Sequence, residues 1–214
     1  MLKIFADTHK IIAKNIYDNV YDNYDLKLDK DKLTWGSVAP DILPHYRFIR
    51  HYKDESINFI SKEIMKVIFI SRFLDLNKKL DPFTIKILSK KIGIISHYLS
   101  DYVCLPHANR WTFYNSLIKH VKYESKLNGF VTNHDFKNNV IYTEDLNIYD
   151  INVMDLRKKI KDYINNVVKE HSMKKGFKND LNFAVSLNLK LTYFILDTIA
   201  LYSEEIEGHF AFQF

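Results

Sequence analysis

Cysteine is nearly absent from this chain. Its single thiol, Cys104, cannot close an internal disulfide, so nothing in the sequence asks for an oxidising compartment. Glycine and proline are scarce too, at five and four residues of 214, which leaves few breaks and argues against a many-stranded sandwich with its frequent turns. No apolar run reaches membrane-spanning length, since the late stretch 185–201 is interrupted by Asn188, Lys190 and Asp197. The opening residues, MLKIFADTHKIIAKN, lack the apolar centre of a secretory leader before Asp7 and His9. The expected location is therefore the cytoplasm, or outside the cell if a leader was removed. A block of like charge is also missing. The formal net charge of +5 comes from lysines scattered among Asp, Asn and Glu; it can attract phosphate-bearing partners, but no nucleic-acid-binding motif accompanies it.

What is present is helical periodicity. Hydrophobic residues make up 47% of the chain, enough for one substantial core, so residues 1–214 are expected to form a single all-α domain, a bundle of five or six helices. Ile12, Ile16 and Val20 recur four apart and mark a helix over 8–21. Between 28 and 54 the pattern fails, and Gly36, Pro40 and Pro44 predict a long loop. Residues 56–74 are apolar nearly all round, as in a buried helix. Asp81-Pro82 is a helix start, with Asp as N-cap and Pro in the first turn; that helix runs through Ile85, Leu88, Ile92, Ile95 and Leu99 to about 103. A short helix is expected over 115–127, an irregular polar segment over 130–150, and two last helices over 152–171 and 180–205.

The chemistry is concentrated in 97–124, HYLSDYVCLPHANRWTFYNSLIKHVKYE. His97 and Asp101 are four apart on a predicted helix and leave the same face one turn apart. His120 and Glu124 repeat the spacing on the next helix, and His107 lies between them, after Pro106. One such pair is ordinarily a solvated or structural contact. Two pairs with a third histidine between them suit a metal ion, because an i, i+4 pair chelates without moving backbone. Imidazole with carboxylate favours zinc, with iron or manganese as substitutes. His9, three and seven residues before Ile12 and Ile16, projects from the buried face of its helix, where a core histidine is the simpler reading.

These residues resemble the signature of the zinc-dependent phospholipase C family: a His-Tyr-x-x-Asp, a Pro and a His six residues after that Asp, Ala-Asn, then His-Val-Lys-Phe-Glu. Here they read His97-Tyr98, Asp101, Pro106, His107, Ala108-Asn109 and His120-Val121-Lys122-Tyr123-Glu124. Pro106 directly precedes His107 and Ala-Asn follows it at once, two small departures that move no ligand. The family also has an N-terminal His, matched by His9; a loop Asp after a Gly and a Pro, matched by Asp41 in GSVAPD; and a later His, for which His51 is the closer match in spacing and His45 competes. The ordered motifs cover about residues 1–127.

The resemblance implies an all-α fold and two to three zinc ions in one cleft. Asp41, His51, His97 and Asp101 would hold one ion, His107, His120 and Glu124 a second, and His9 with a bridging Asp101 a third. The family completes that third site with an N-terminal Trp, whereas this chain begins Met-Leu and has no Trp before Trp35. Met1 or water would have to fill in, so the third ion is expected to be the weakest. Asp41 is the candidate to orient the attacking water or act as base. The implied activity is hydrolysis of a phospholipid to diacylglycerol and a phosphorylated headgroup. A single-strand nuclease or small phosphodiesterase on the same fold is the nearest alternative, with nucleic acid then a substrate; a zinc-stabilised helical module without catalysis is another. His45, His134, His171 and His209 are left as surface or capping residues, and Trp35 and Trp111 as core packing.

Overall fold

The computed structural model describes residues 6–46, 48–76, 78, 80–111, 113–150 and 154–211, without the side chains of 113–115, 150 and 205–211. Met1 and the side chain of His209 therefore lie outside the described residues. The fold is all-α as expected, with no strand among the described residues. The eight helices among the described residues are α1 (Ala6–Tyr24), α2 (Lys30–Ile42), α3 (Lys53–Ser71), α4 (Pro82–Tyr102), α5 (Leu105–Ala108), α6 (Phe113–Val131), α7 (Leu156–His171) and α8 (Phe177–Ala211).

The helix signals that rested on capping and periodicity hold. Asp81 caps α4, its carboxylate accepting from the N–H groups of Phe83 and Thr84, with Pro82 in the first turn. α1 turns His9, Ile12, Ala13, Ile16 and Val20 inward, and α7 does the same with Leu156, Ile160, Tyr163, Ile164 and Val167. Nearly three turns at the end of α4, from Gly93 to Tyr102, are buried on every side. One apolar cluster joins these residues to α3 and α8. By length and composition α8 is apolar enough to cross a bilayer over Phe177–Glu204, contrary to the expectation that no segment would be. Yet 72% of its most apolar window is buried inside the protein, so that apolarity serves the core.

Three expectations are corrected. The loop read over 28–54 is interrupted by a helix, α2. Asp29 caps it by accepting from Lys32 N–H, and Pro40 sits in its last turn, where it removes one intrahelical N–H donor without ending the helix. Gly36 does not break this helix; it lets it touch α4. A Cβ on Gly36 would lie 2.3 Å from Lys90 O, and one on Gly93 would lie 2.3 Å from Leu33 O, so the two backbones meet with no side chain between them. Next, α3 is not buried all round: Ile57, Ile60, Ile64 and Val67 are buried while the equally apolar Ile70 is exposed. Finally, α6 and α8 both extend beyond the spans expected for them, and eight helices replace five or six.

The polar segment 130–150 is irregular, as expected, apart from a single 3-10 turn at Ile148–Asp150. It is pinned by Glu170, whose carboxylate accepts from the N–H groups of Tyr142 and Thr143 and from the Thr143 hydroxyl.

Candidate metal centre

All eight residues singled out from the sequence converge on one region, drawn from α1, α2, the segment before α3, α4, α5 and α6. Three groups place one donor atom each within 4.8 Å of one another: His51, His97 and Asp101; His107, His120 and Glu124; and His9, Asp41 and His97. Of the two candidate partners for Asp41, His51 is the one that joins them. His45 instead lies in the short 3-10 turn Pro44–Tyr46, its ring 4.2 Å from that of Tyr46.

In the first cluster His51, His97 and Asp101 stand together, with Asp41 beside both histidines. His51 Nδ1 is 2.8 Å from Asp101 Oδ2 and 3.7 Å from Asp41 Oδ1. His97 Nε2 is 3.1 Å from His51 Nδ1, 3.3 Å from Asp101 Oδ2 and 3.6 Å from Asp41 Oδ1. A tetrahedral zinc with bonds of about 2.0–2.1 Å separates its ligands by about 3.3–3.4 Å. The five edges scatter around that value, and the shortest, between His51 and Asp101, is also a hydrogen bond. His97 is wholly buried and its Nδ1 donates to Ser37 O at 2.8 Å. A carbonyl only accepts, so Nδ1 carries the proton and Nε2 presents its lone pair, the tautomer a metal requires.

In the second cluster both histidines address one oxygen. His107 Nε2 and His120 Nε2 lie 2.9 and 2.7 Å from Glu124 Oε1. His120 Nδ1 donates to Trp111 O at 3.2 Å, which again leaves Nε2 facing the cluster. Here only three donors meet, with Asp101 Oδ1 more distant at 3.9 Å from His107 Nε2. Asp101 thus lies between the groups. One oxygen belongs to the first cluster, and the other faces His107 and, at 3.5 Å, His9 Nε2. The Nδ1 atoms of His9 and His107 are buried and find no hydrogen-bond partner.

The electrostatics keep His9 and His97 neutral beside ionised Asp101 and Glu124, whereas His51 and His120, which burial alone would lower, are raised by their hydrogen bonds to Asp101 and Glu124. Burial, followed by the neighbouring His97, pushes His9 down to about 4. Burial likewise takes His97 to about 4, outweighing the opposing pull of Asp101. Burial would raise Asp101, but His107, His97, the hydrogen bond to His51 and His9 together hold it well below the usual carboxylate range. Glu124 is lowered to about 2: burial opposes this, and the hydrogen bonds from His107 and His120 prevail. At neutral pH His9 and His97 therefore offer lone pairs beside the negative charge of Asp101 and Glu124, which suits a divalent cation.

Several contributors were not visible in the sequence. The carbonyls of Ser37 and Trp111 fix two histidine tautomers, and no residue pattern announces a backbone acceptor. Trp111 had been read as core packing together with Trp35; Trp111 is only half-buried and Trp35 is exposed. His171, read as surface or capping, is buried and lies 2.9 Å from buried Asp180. His134 is half-buried and bonded to Asn182.

Neither a curated protein sequence nor a solved structure matches this chain. A family model described as zinc-dependent phospholipase C matches residues 8–178, a span that holds every donor named above. The chain belongs to the zinc-dependent phospholipase C family.

Proposed function

We propose that this protein is a zinc-dependent phosphodiester hydrolase of the phospholipase C type, cleaving phospholipid to diacylglycerol and a phosphorylated headgroup. Family membership supports zinc and a phospholipase C-like hydrolase; the substrate and the roles of the residues are the reading put forward here. The observation that carries it is the gathering of two three-donor groups on either side of Asp101, His51 and His97 with one of its oxygens and His107, His120 and Glu124 facing the other. A closed structural zinc site has four protein ligands, whereas a three-donor site leaves a position open for substrate or water.

Asp41, His51, His97 and Asp101 would hold one ion and His107, His120 and Glu124 another, with His9 contributing beside Asp101. When bound, zinc lowers the pKa of coordinated water and neutralises the non-bridging oxygens of a phosphodiester. The protein's own part is orientation. Ser37 O and Trp111 O lock His97 and His120 in the donor tautomer. The Asp41 side chain is partly open to solvent, so it can accept a hydrogen bond from the attacking water and aim it at phosphorus. Beside these residues in the chain stand exposed apolar groups: Ile42 next to Asp41, Phe48 before His51, and Leu117 and Ile118 before His120. Such flanks suit an acyl-bearing substrate better than a polyanionic strand.

Turnover of phosphatidylcholine vesicles, single-stranded DNA and a chromogenic phosphodiester, with bound zinc counted in parallel, tests this reading. We expect hydrolysis of the lipid, lost on chelation and restored by zinc. Turnover that survives exhaustive chelation overturns the mechanism; cleavage of DNA in place of lipid overturns the substrate.

A further inference from the structure

Behind the second cluster lies a buried carboxylate that the proposed chemistry does not use. Asp180 is in the first turn of α8, two residues beyond the span matched by the family model. It is 2% exposed, a costly place for a carboxylate unless its oxygens are fully engaged. Both are. Oδ1 faces His171 Nε2 at 2.9 Å. Oδ2 accepts two hydrogen bonds, one from Leu105 N–H and one from the Tyr123 hydroxyl, each 2.8 Å.

The identity of those donors matters. Leu105 is the first residue of α5, two before His107, and Cys104 at the N-cap offers α5 no side-chain cap. Its N–H would be one of the unsatisfied groups at a helix start, and Asp180 satisfies it from another helix. Tyr123 is the neighbour of Glu124 on α6. Its ring packs edge-on against Trp111 and Phe177, and Trp111 O is the acceptor that fixes His120. One oxygen atom therefore ties together the two helices that carry all three donors of the second cluster. A small cavity of about 30 Å³, lined by Asp101, Glu124 and Asp180 among others, lies beside them.

We propose that Asp180, itself anchored by His171, is a positioning residue for the second donor cluster: through Leu105 N–H and the Tyr123 hydroxyl it sets His107 and Glu124 at their working separation. This rests on the metal-binding reading above. Hydrogen-bond partners of metal ligands typically contribute 10- to 100-fold in metal affinity, because a loosened ligand must be ordered when the ion binds; Asp180 acts one residue further out, through Leu105 and Tyr123, so that range is its upper bound.

The test is competition between the full-length chain and a chromogenic chelator for zinc, with no substrate present, in wild type, Asp180→Ala, Tyr123→Phe, Glu124→Ala and the double variants. Tyr123→Phe keeps the ring packing and removes one hydroxyl, so it serves even if Asp180→Ala folds poorly. We expect one ion to be held about 10-fold more weakly in Tyr123→Phe and up to about 100-fold more weakly in Asp180→Ala, with the other binding step unmoved. In the Glu124→Ala background neither change should shift the remaining affinity. Unshifted affinities in both single variants overturn the inference, as does an equal weakening of every ion in both backgrounds, which would make Asp180 a general support of the fold. Wild-type protein that takes up no zinc overturns the functional reading itself, whereas wild-type uptake with unshifted variants removes only the role of Asp180.

Discussion

The two donor clusters are built by opposite means. The first lies against the core: His97 and Asp101 are on the fully buried end of α4, α2 is pressed onto α4 at Gly36 and Gly93, and Ser37, the next residue after Gly36, supplies the carbonyl that orients His97. Its geometry follows from packing that the protein needs in order to fold at all. The second cluster stands on α5, a single turn, and α6, with all three donors half-buried. It is held by individual hydrogen bonds to Trp111 O and Asp180. Damage to the first should therefore appear as lost stability, and damage to the second as lost function alone.

The contrast should be sharpest in His97→Ala. Emptying a fully buried site and removing a partner of Asp101 should destabilise the protein by about 3–5 kcal/mol in chemical denaturation, and abolish turnover as well. Glu124→Ala should be its mirror image. Turnover should fall by more than about 100-fold, the upper end for a residue merely adjacent to a ligand, while the zinc-free protein, which loses two half-buried hydrogen bonds from His107 and His120, should be destabilised less than by His97→Ala. A large loss of zinc-free stability in Glu124→Ala would break the comparison.

A smaller effect is expected from Gly93→Ala. The added methyl meets backbone, not a flexible side chain, so α2 must move away at about 1–3 kcal/mol. Because α2 carries Ser37 and Asp41, zinc affinity at the first cluster should fall too, and calorimetric titration would show it. The smallest effect belongs to a site remote from both clusters. Burial would raise Glu170, but the N–H groups of Tyr142 and Thr143 and the Thr143 hydroxyl lower it. A folded carboxylate below its ordinary value contributes stability that is present above about pH 4.3 and lost as pH falls through the folded value. Glu170→Gln should thus be less stable than wild type at pH 7, and the gap should close at lower pH. A constant gap across that range would contradict it.

How much of this could be read in the sequence depended on distance along the chain. The i, i+4 pairs His97/Asp101 and His120/Glu124 are local, so spacing alone placed each pair on one helix face. Asp81-Pro82 likewise announced α4 from two adjacent residues. α2 was missed because Gly36 and Pro40 are local breakers, and what overrides them, contact with Gly93, is 57 residues away and invisible in one sequence. His171 failed for a related reason. It sits at the end of α7, where capping is the ordinary role, but its partner Asp180 arrives only after the chain turns at Gly176, a residue with φ of +124°.

Asp101 belongs to both clusters at once, and a carboxylate has a single negative charge to divide. On the proposed reading, an ion settling against Oδ2 draws electron density from Oδ1, the oxygen that faces His9 and His107. Filling either position then changes the affinity of the other by the same factor, since such linkage is reciprocal. Zinc uptake in this protein would be a coupled process, with an order of filling and an order of release.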